Sequence, residues 1–178
     1  MKKFLSLCSL AFFLSFNVHA APEPTYIEEV EGLGYVAGEG LACEASKYDT
    51  YEMIARSFLI SKASSDEEQA KAMDAYNEAK ANAFIAKIKD GMAGCAAIAE
   101  NFDRQRIFKS VIYGDGTMKM PDGKIITPRQ AYDVTLVYKK DPEMREKMIN
   151  LYRQTRQKIL NDPEFQKALR ERQMQDGF

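Results

Sequence analysis

One histidine, His19, and three cysteines, Cys8, Cys43 and Cys95, occur among the 178 residues, and these few side chains decide most of the chemistry open to the chain. His19 and Cys8 both fall in a segment that reads as a removable leader. Lys2 and Lys3 form a positive start, and Phe4 to Phe16 follow as a 13-residue apolar run broken only by Ser6, Cys8, Ser9 and Ser15. Spanning a bilayer takes about 20 apolar residues, so the run is too short for an anchor. Asn17-Val18-His19-Ala20 supplies the small-residue cleavage signal, which places the cut after Ala20. Cys8 is not a lipidation site, because Leu7 stands where a small residue is required. Cleavage at Ala20 leaves 178 − 20 = 158 residues, enough for one domain with a sizeable core.

Without His19 the remaining chain cannot run Ser-His-Asp, Cys-His or His-metal mechanisms, each of which needs an imidazole as base or ligand. Cys43 and Cys95 are an even pair in an oxidising compartment and are expected to form a structural disulfide. They carry no CxxC spacing, so a redox role is disfavoured. Met118 and Met120 lie on one side of an expected strand and are the only weak metal candidates, as paired thioethers for Cu(I). Core packing of both is the simpler reading. Asp115 and Asp122 sit in glycine-rich turns, but the alternating acidic ladder of a calcium loop is absent, and turn formation accounts for them. A Ser-Lys dyad from Ser61 or Ser110 with Lys62 or Lys109 lacks its usual motif. Two carboxylates about 5–9.5 Å apart would suffice for glycoside hydrolysis, but the 26 acidic residues single out no pair. No catalytic residue and no cofactor is assigned.

The elements that position these residues read as mainly α, with a small inserted β-meander. Apolar residues recur at three to four from Tyr48 to Leu59, giving a helix over about 41–62. Ser65 with Glu68 forms a capping box for a second helix ending near Lys89, whose core stripe is Ala72, Met73, Tyr76, Ala79 and Ala83. Two antiparallel helices joined by a short turn would bring Cys43 and Cys95 together, a disulfide-closed hairpin. Gly32-Leu33-Gly34 and Gly38-Glu39-Gly40 mark residues 21–40 as a flexible glycine-rich, acidic entry segment, lacking the lysine of a phosphate-binding loop. Residues 41–178 form a single domain in this reading, with the meander at about 107–127. Its turns are Gly114-Asp115-Gly116 and Pro121-Asp122-Gly123. Thr127-Pro128 opens a further helix, and Asp141-Pro142 and Asp162-Pro163 open capped helices at about 142–160 and 163–175. Met144, Met148, Leu151, Tyr152 and Ile159 are the core stripe of the first of these.

Charge is sorted along the chain: residues 21–68 carry 3 basic and 11 acidic side chains, whereas 101–178 carry 16 basic and 11 acidic. With no dense Lys/Arg cluster and a net acidic balance, nucleic acid is a poor partner. These observations point to an exported, periplasmic or secreted, non-enzymatic binding or assembly protein of the bacterial cell envelope. Its partner would be another envelope protein or complex, with Asp115, Lys119, Asp122, Lys124 and Arg129 as candidate contact residues. The alternatives are a carboxylate-based hydrolase of envelope polymer and a small-ligand or metal carrier. No transmembrane segment is expected after Ala20.

Overall fold

The computed structural model describes residues 24–134 and 142–175, the side chains of 142–149, 172 and 173 excepted. The leader expected over 1–20 and the cap at Asp141 lie outside the described residues. The architecture is mainly helical: α1 (Tyr26–Ala42), α2 (Tyr48–Lys62), α3 (Asp66–Lys89), α4 (Cys95–Asp103), a 3-10 turn (Arg106–Lys109), strands β1 (Val111–Ile112), β2 (Met118–Lys119) and β3 (Ile125–Ile126), then α5 (Pro142–Leu160) and α6 (Pro163–Gln175). Among the described residues no helix is long and apolar enough to cross a membrane.

The largest departure from the sequence reading is α1, which is a helix where a flexible entry segment was expected. Thr25 and Glu28 close a capping box at its start, Thr25 accepting from the Glu28 N–H and Glu28 accepting in return from the Thr25 N–H. Four glycines make it a poor helix in isolation, at about 1 kcal/mol each against alanine. Two of them are what α3 needs. A Cβ at Gly34 would stand 2.4 Å from the Tyr76 carbonyl oxygen, and one at Gly38 would stand 2.3 Å from that of Lys80. The two backbones therefore touch directly, and packing overrides propensity. Because Gly34 meets Tyr76 and Gly38 meets Lys80, α1 and α3 run parallel. α2 runs antiparallel to α1: the Tyr26 hydroxyl donates to the Leu59 carbonyl and the Tyr51 hydroxyl to that of Leu33, at 2.6 and 3.2 Å.

The disulfide-closed hairpin is formed by antiparallel α2 and α3 as expected, with a later start to its first helix. Cys43 caps the C-terminus of α1 rather than beginning the next helix, which starts only at Tyr48, and Cys95 opens α4. Parallel α1 and α3 end on the same side of the bundle, and a loop with Gly91 and Gly94 in the left-handed region turns the chain back there. Cys43 and Cys95 are bonded, their Cα atoms 4.9 Å apart. Closing a loop of 52 residues is worth about 4 kcal/mol in the chain-entropy account. Ser65 caps α3 as expected, and Ala72, Tyr76 and Ala83 of its stripe are buried. The core joins Val30 and Ala37 of α1, Tyr51, Ile54 and Leu59 of α2, Phe102 of α4, and Met118 and Ile126 of the sheet.

The helix expected from Pro128 is not formed over 128–133. There the chain spends Tyr132 differently, laying its ring on Gly116 and its hydroxyl 3.0 Å from Ser61 Oγ. Burying that ring outweighs three local capping cues. The later helices keep their expected bounds, and Asp162 Oδ1 accepts from the Glu164 and Phe165 N–H groups as a cap does. Of the stripe expected on α5, Tyr152 packs edge-on to Phe84 at 4.7 Å and Ile159 is half-buried, but Leu151 faces outward at 55% exposure. Met144 and Met148 side chains lie outside the described residues.

Candidate functional site

Three strands of two residues each form an antiparallel sheet in the order β1-β2-β3. Val111 pairs with Lys119 and Lys119 with Ile125; beside them Ile112 pairs with Met118 and Met118 with Ile126. Successive residues of a strand point to opposite faces, so these rows belong to two faces. The inner row packs on α2, with Met118 fully buried and Ile126 nearly so. Met118 is thus a core residue, while Met120 is only half-buried. On the outer face Val111, Tyr113 and Ile125 are each about half exposed around Lys119, an apolar surface with a central cation.

The turns are held by their own side chains. Asp115 accepts from the Thr117 N–H and hydroxyl, and Asp122 accepts from the Lys124 N–H, the usual way aspartate closes a tight turn. Those bonds hold the Asp115 carboxyl below its ordinary range. Gly116 and Gly123 take the positive φ these turns require. Ser61 Oγ donates to the Gly116 carbonyl at 2.7 Å, fastening the first turn to α2. Of the candidate contact residues, Lys119 and Lys124 are exposed, Asp115 and Asp122 build turns, and Arg129 pairs with Asp66 at the start of α3. The five are therefore spread over a face, its two turns and a flanking segment, and do not converge on one point.

A buried ion cluster lies away from the sheet, where α2 meets α3. Glu52 receives Lys80 Nζ at 3.1 Å and Arg56 Nε at 2.8 Å on one oxygen. Its other oxygen receives the Tyr48 and Tyr76 hydroxyls, both at 2.9 Å. Burial alone would push this carboxyl up; Lys80 and Arg56 overcome that and hold it at about 2. Burial lowers Lys80 more than Glu52 restores it. Tyr76 and Tyr48 are pushed up, first by burial and then by the Glu52 charge, so both stay protonated donors. A carboxylate with four donors is fixed as an anion, which suits it to hold α2 on α3 and not to act as a general acid.

Sequence reading passed over this cluster, although one signal was present: Lys80 follows Tyr76 by four residues on the buried stripe of α3. A lysine on an apolar face asks for a buried anion. Among the described residues no group of three His, Cys, Asp or Glu gathers as a metal site would require. No protein-family profile, curated protein sequence or solved structure matches the chain.

Proposed function

We propose that the chain acts in the bacterial cell envelope as a non-enzymatic binding or assembly protein, with the outer face of the meander as its contact surface. The observation that carries this reading is the row Val111, Lys119, Ile125 with Tyr113 beside it, apolar side chains held outward on a sheet whose inner row is locked into the core. A short sheet anchored by Met118, Ile126 and the Ser61–Gly116 bond presents those side chains in a fixed pattern, and preorganisation lowers the entropy cost of binding. Export is supported by the Cys43–Cys95 bond, which belongs to an oxidising compartment, and by the Lys2-Lys3 start, short apolar run and Ala20 cut.

The test joins location to contact. N-terminal sequencing and mass analysis of protein from a periplasmic extract should give Ala21 as the first residue and a mass lower by two hydrogens than the reduced chain. Cross-linking and affinity purification from the same envelope should recover one partner with the natural chain and lose it with Val111→Asp plus Ile125→Asp. A chain retained in the cytoplasm with free thiols would end the envelope reading. Undiminished recovery with the double variant would end the role of the meander.

A further inference from the structure

A second surface, separate from the meander, lies where the loop after Cys43 and the start of α2 face α5. They enclose an open cleft of about 380 Å³, within the range of about 300–1,000 Å³ usual for small-molecule sites. Tyr48, Phe84 and Tyr152 give it aromatic walls, and Arg153 and Arg156, one turn apart on α5, give it cations. Glu44 and Asp49 also border it, so the cleft carries both signs.

The arginines are unevenly satisfied. Arg156 is three-quarters buried and pairs through one terminal nitrogen with Glu44, while its Nε is shut off from solvent with no acceptor. A buried guanidinium donor without a partner costs free energy. Arg153 is exposed and makes no ion pair to another described residue. Glu44 itself sits at φ 55°, one of only two non-glycine residues in the left-handed region among those described. That position closes α1: the Glu44 N–H donates to the Leu41 carbonyl and the Ala45 N–H to that of Gly40, and the side chain, two-thirds exposed, reaches Arg156 from there. Its carboxylate marks a position where an anion meets the three-quarters buried Arg156.

We infer that this cleft binds a small organic acid, a carboxylate or phosphate carried on a flat apolar body. Arg153 and Arg156 take the anion, Tyr48 and Tyr152 take the body, and Glu44 holds the anion's place while the cleft is empty. The volume fits one ring with its acidic group and not a polymer. Arginine supplies the forked donors that both kinds of anion accept, and aromatic walls supply area at little entropy cost.

The experiment titrates the whole processed chain with phenyl phosphate and with benzoate, using phenol and inorganic phosphate as controls, and follows backbone amide resonances. Shifts should centre on Gly40, Leu41, Ser46 and Tyr152, and the better of the two acids should bind about tenfold or more tighter than either control, the worth of one charge-assisted hydrogen bond. Which acid wins identifies the anion. Glu44→Gln removes the competing carboxylate and should tighten binding several-fold. Arg153→Gln, at an exposed position that leaves the fold intact, should weaken it about tenfold. A merely structural Glu44–Arg156 pair predicts the opposite for Glu44→Gln, a looser α5 and no gain in affinity. Absence of binding at millimolar acid, equal affinity in all three proteins, or inorganic phosphate binding as tightly as phenyl phosphate would each overturn the proposal.

Discussion

The seam between α1 and α3 and the sheet that follows α4 solve opposite problems. At the seam, backbone meets backbone across Gly34 and Gly38, and one helix away four donors surround a single carboxylate. Every polar group of that cluster has one arrangement in which it is satisfied, so the helices have one register. In the sheet, two residues per strand leave almost nothing to satisfy, and half the side chains point outward. The contrast separates what fixes the structure from what is left over to meet something else. Specificity of fold is concentrated in α1–α3, and availability for contact in β1–β3.

The comparison breaks first at Glu52. Replacing it by Ala leaves Lys80 and Arg56 without their anion and should cost about 3–5 kcal/mol in chemical denaturation; a loss under about 1 kcal/mol would give the cluster the worth of a surface pair. The same carboxyl sets an acid limit. Its folded value lies below its unfolded one, so its contribution is full above about pH 4.5 and is lost as pH falls toward about 2. Glu52→Gln should flatten that limb of the stability curve.

Next comes the seam itself. Gly38→Ala forces a Cβ into the Lys80 carbonyl and should cost about 2–3 kcal/mol. Gly32→Ala, in the same helix with nothing within 4 Å of the added atom, should gain up to about 1 kcal/mol. Equal effects at the two positions would mean that helix propensity, and not contact with α3, decides the glycines.

The smallest effect is expected on the sheet. Val111→Ser with Ile125→Ser should shift the thermal midpoint by an amount worth no more than about 0.5 kcal/mol, because both side chains already face outward. A large loss of stability would mean that this face is covered within the molecule.

Where a structure is local, the sequence announces it. Ser65, Asp162 and Pro163 mark helix starts through bonds within four residues, and Asp115 and Asp122 mark turns through bonds two residues away. Cys43 and Cys95 were legible as a pair from parity, compartment and the hairpin that joins their ends; the place of Cys43 at the end of α1 was not. α1 was illegible because four glycines weaken a helix locally while two of them secure it through α3, a partner about 40 residues away. Tyr132 hid its role in the same way, since Gly116 and Ser61 lie elsewhere in the chain. The ion cluster needed five side chains of α2 and α3 brought together, and only Lys80 on a buried stripe hinted at it. The arginine cleft required α5, about 100 residues further along, to fold back on the loop after Cys43.

The Cys43–Cys95 bond makes a covalent ring of everything from the end of α1 to the start of α4, with all of α2 and α3 inside it. A protease that nicks the exposed turn at Ser64 therefore opens the ring without dividing the molecule. The two halves travel as one species on a non-reducing gel and part only when a reductant is added. In a compartment shared with proteases, such a chain can be cut once between its two central helices and still keep both ends attached to the same body.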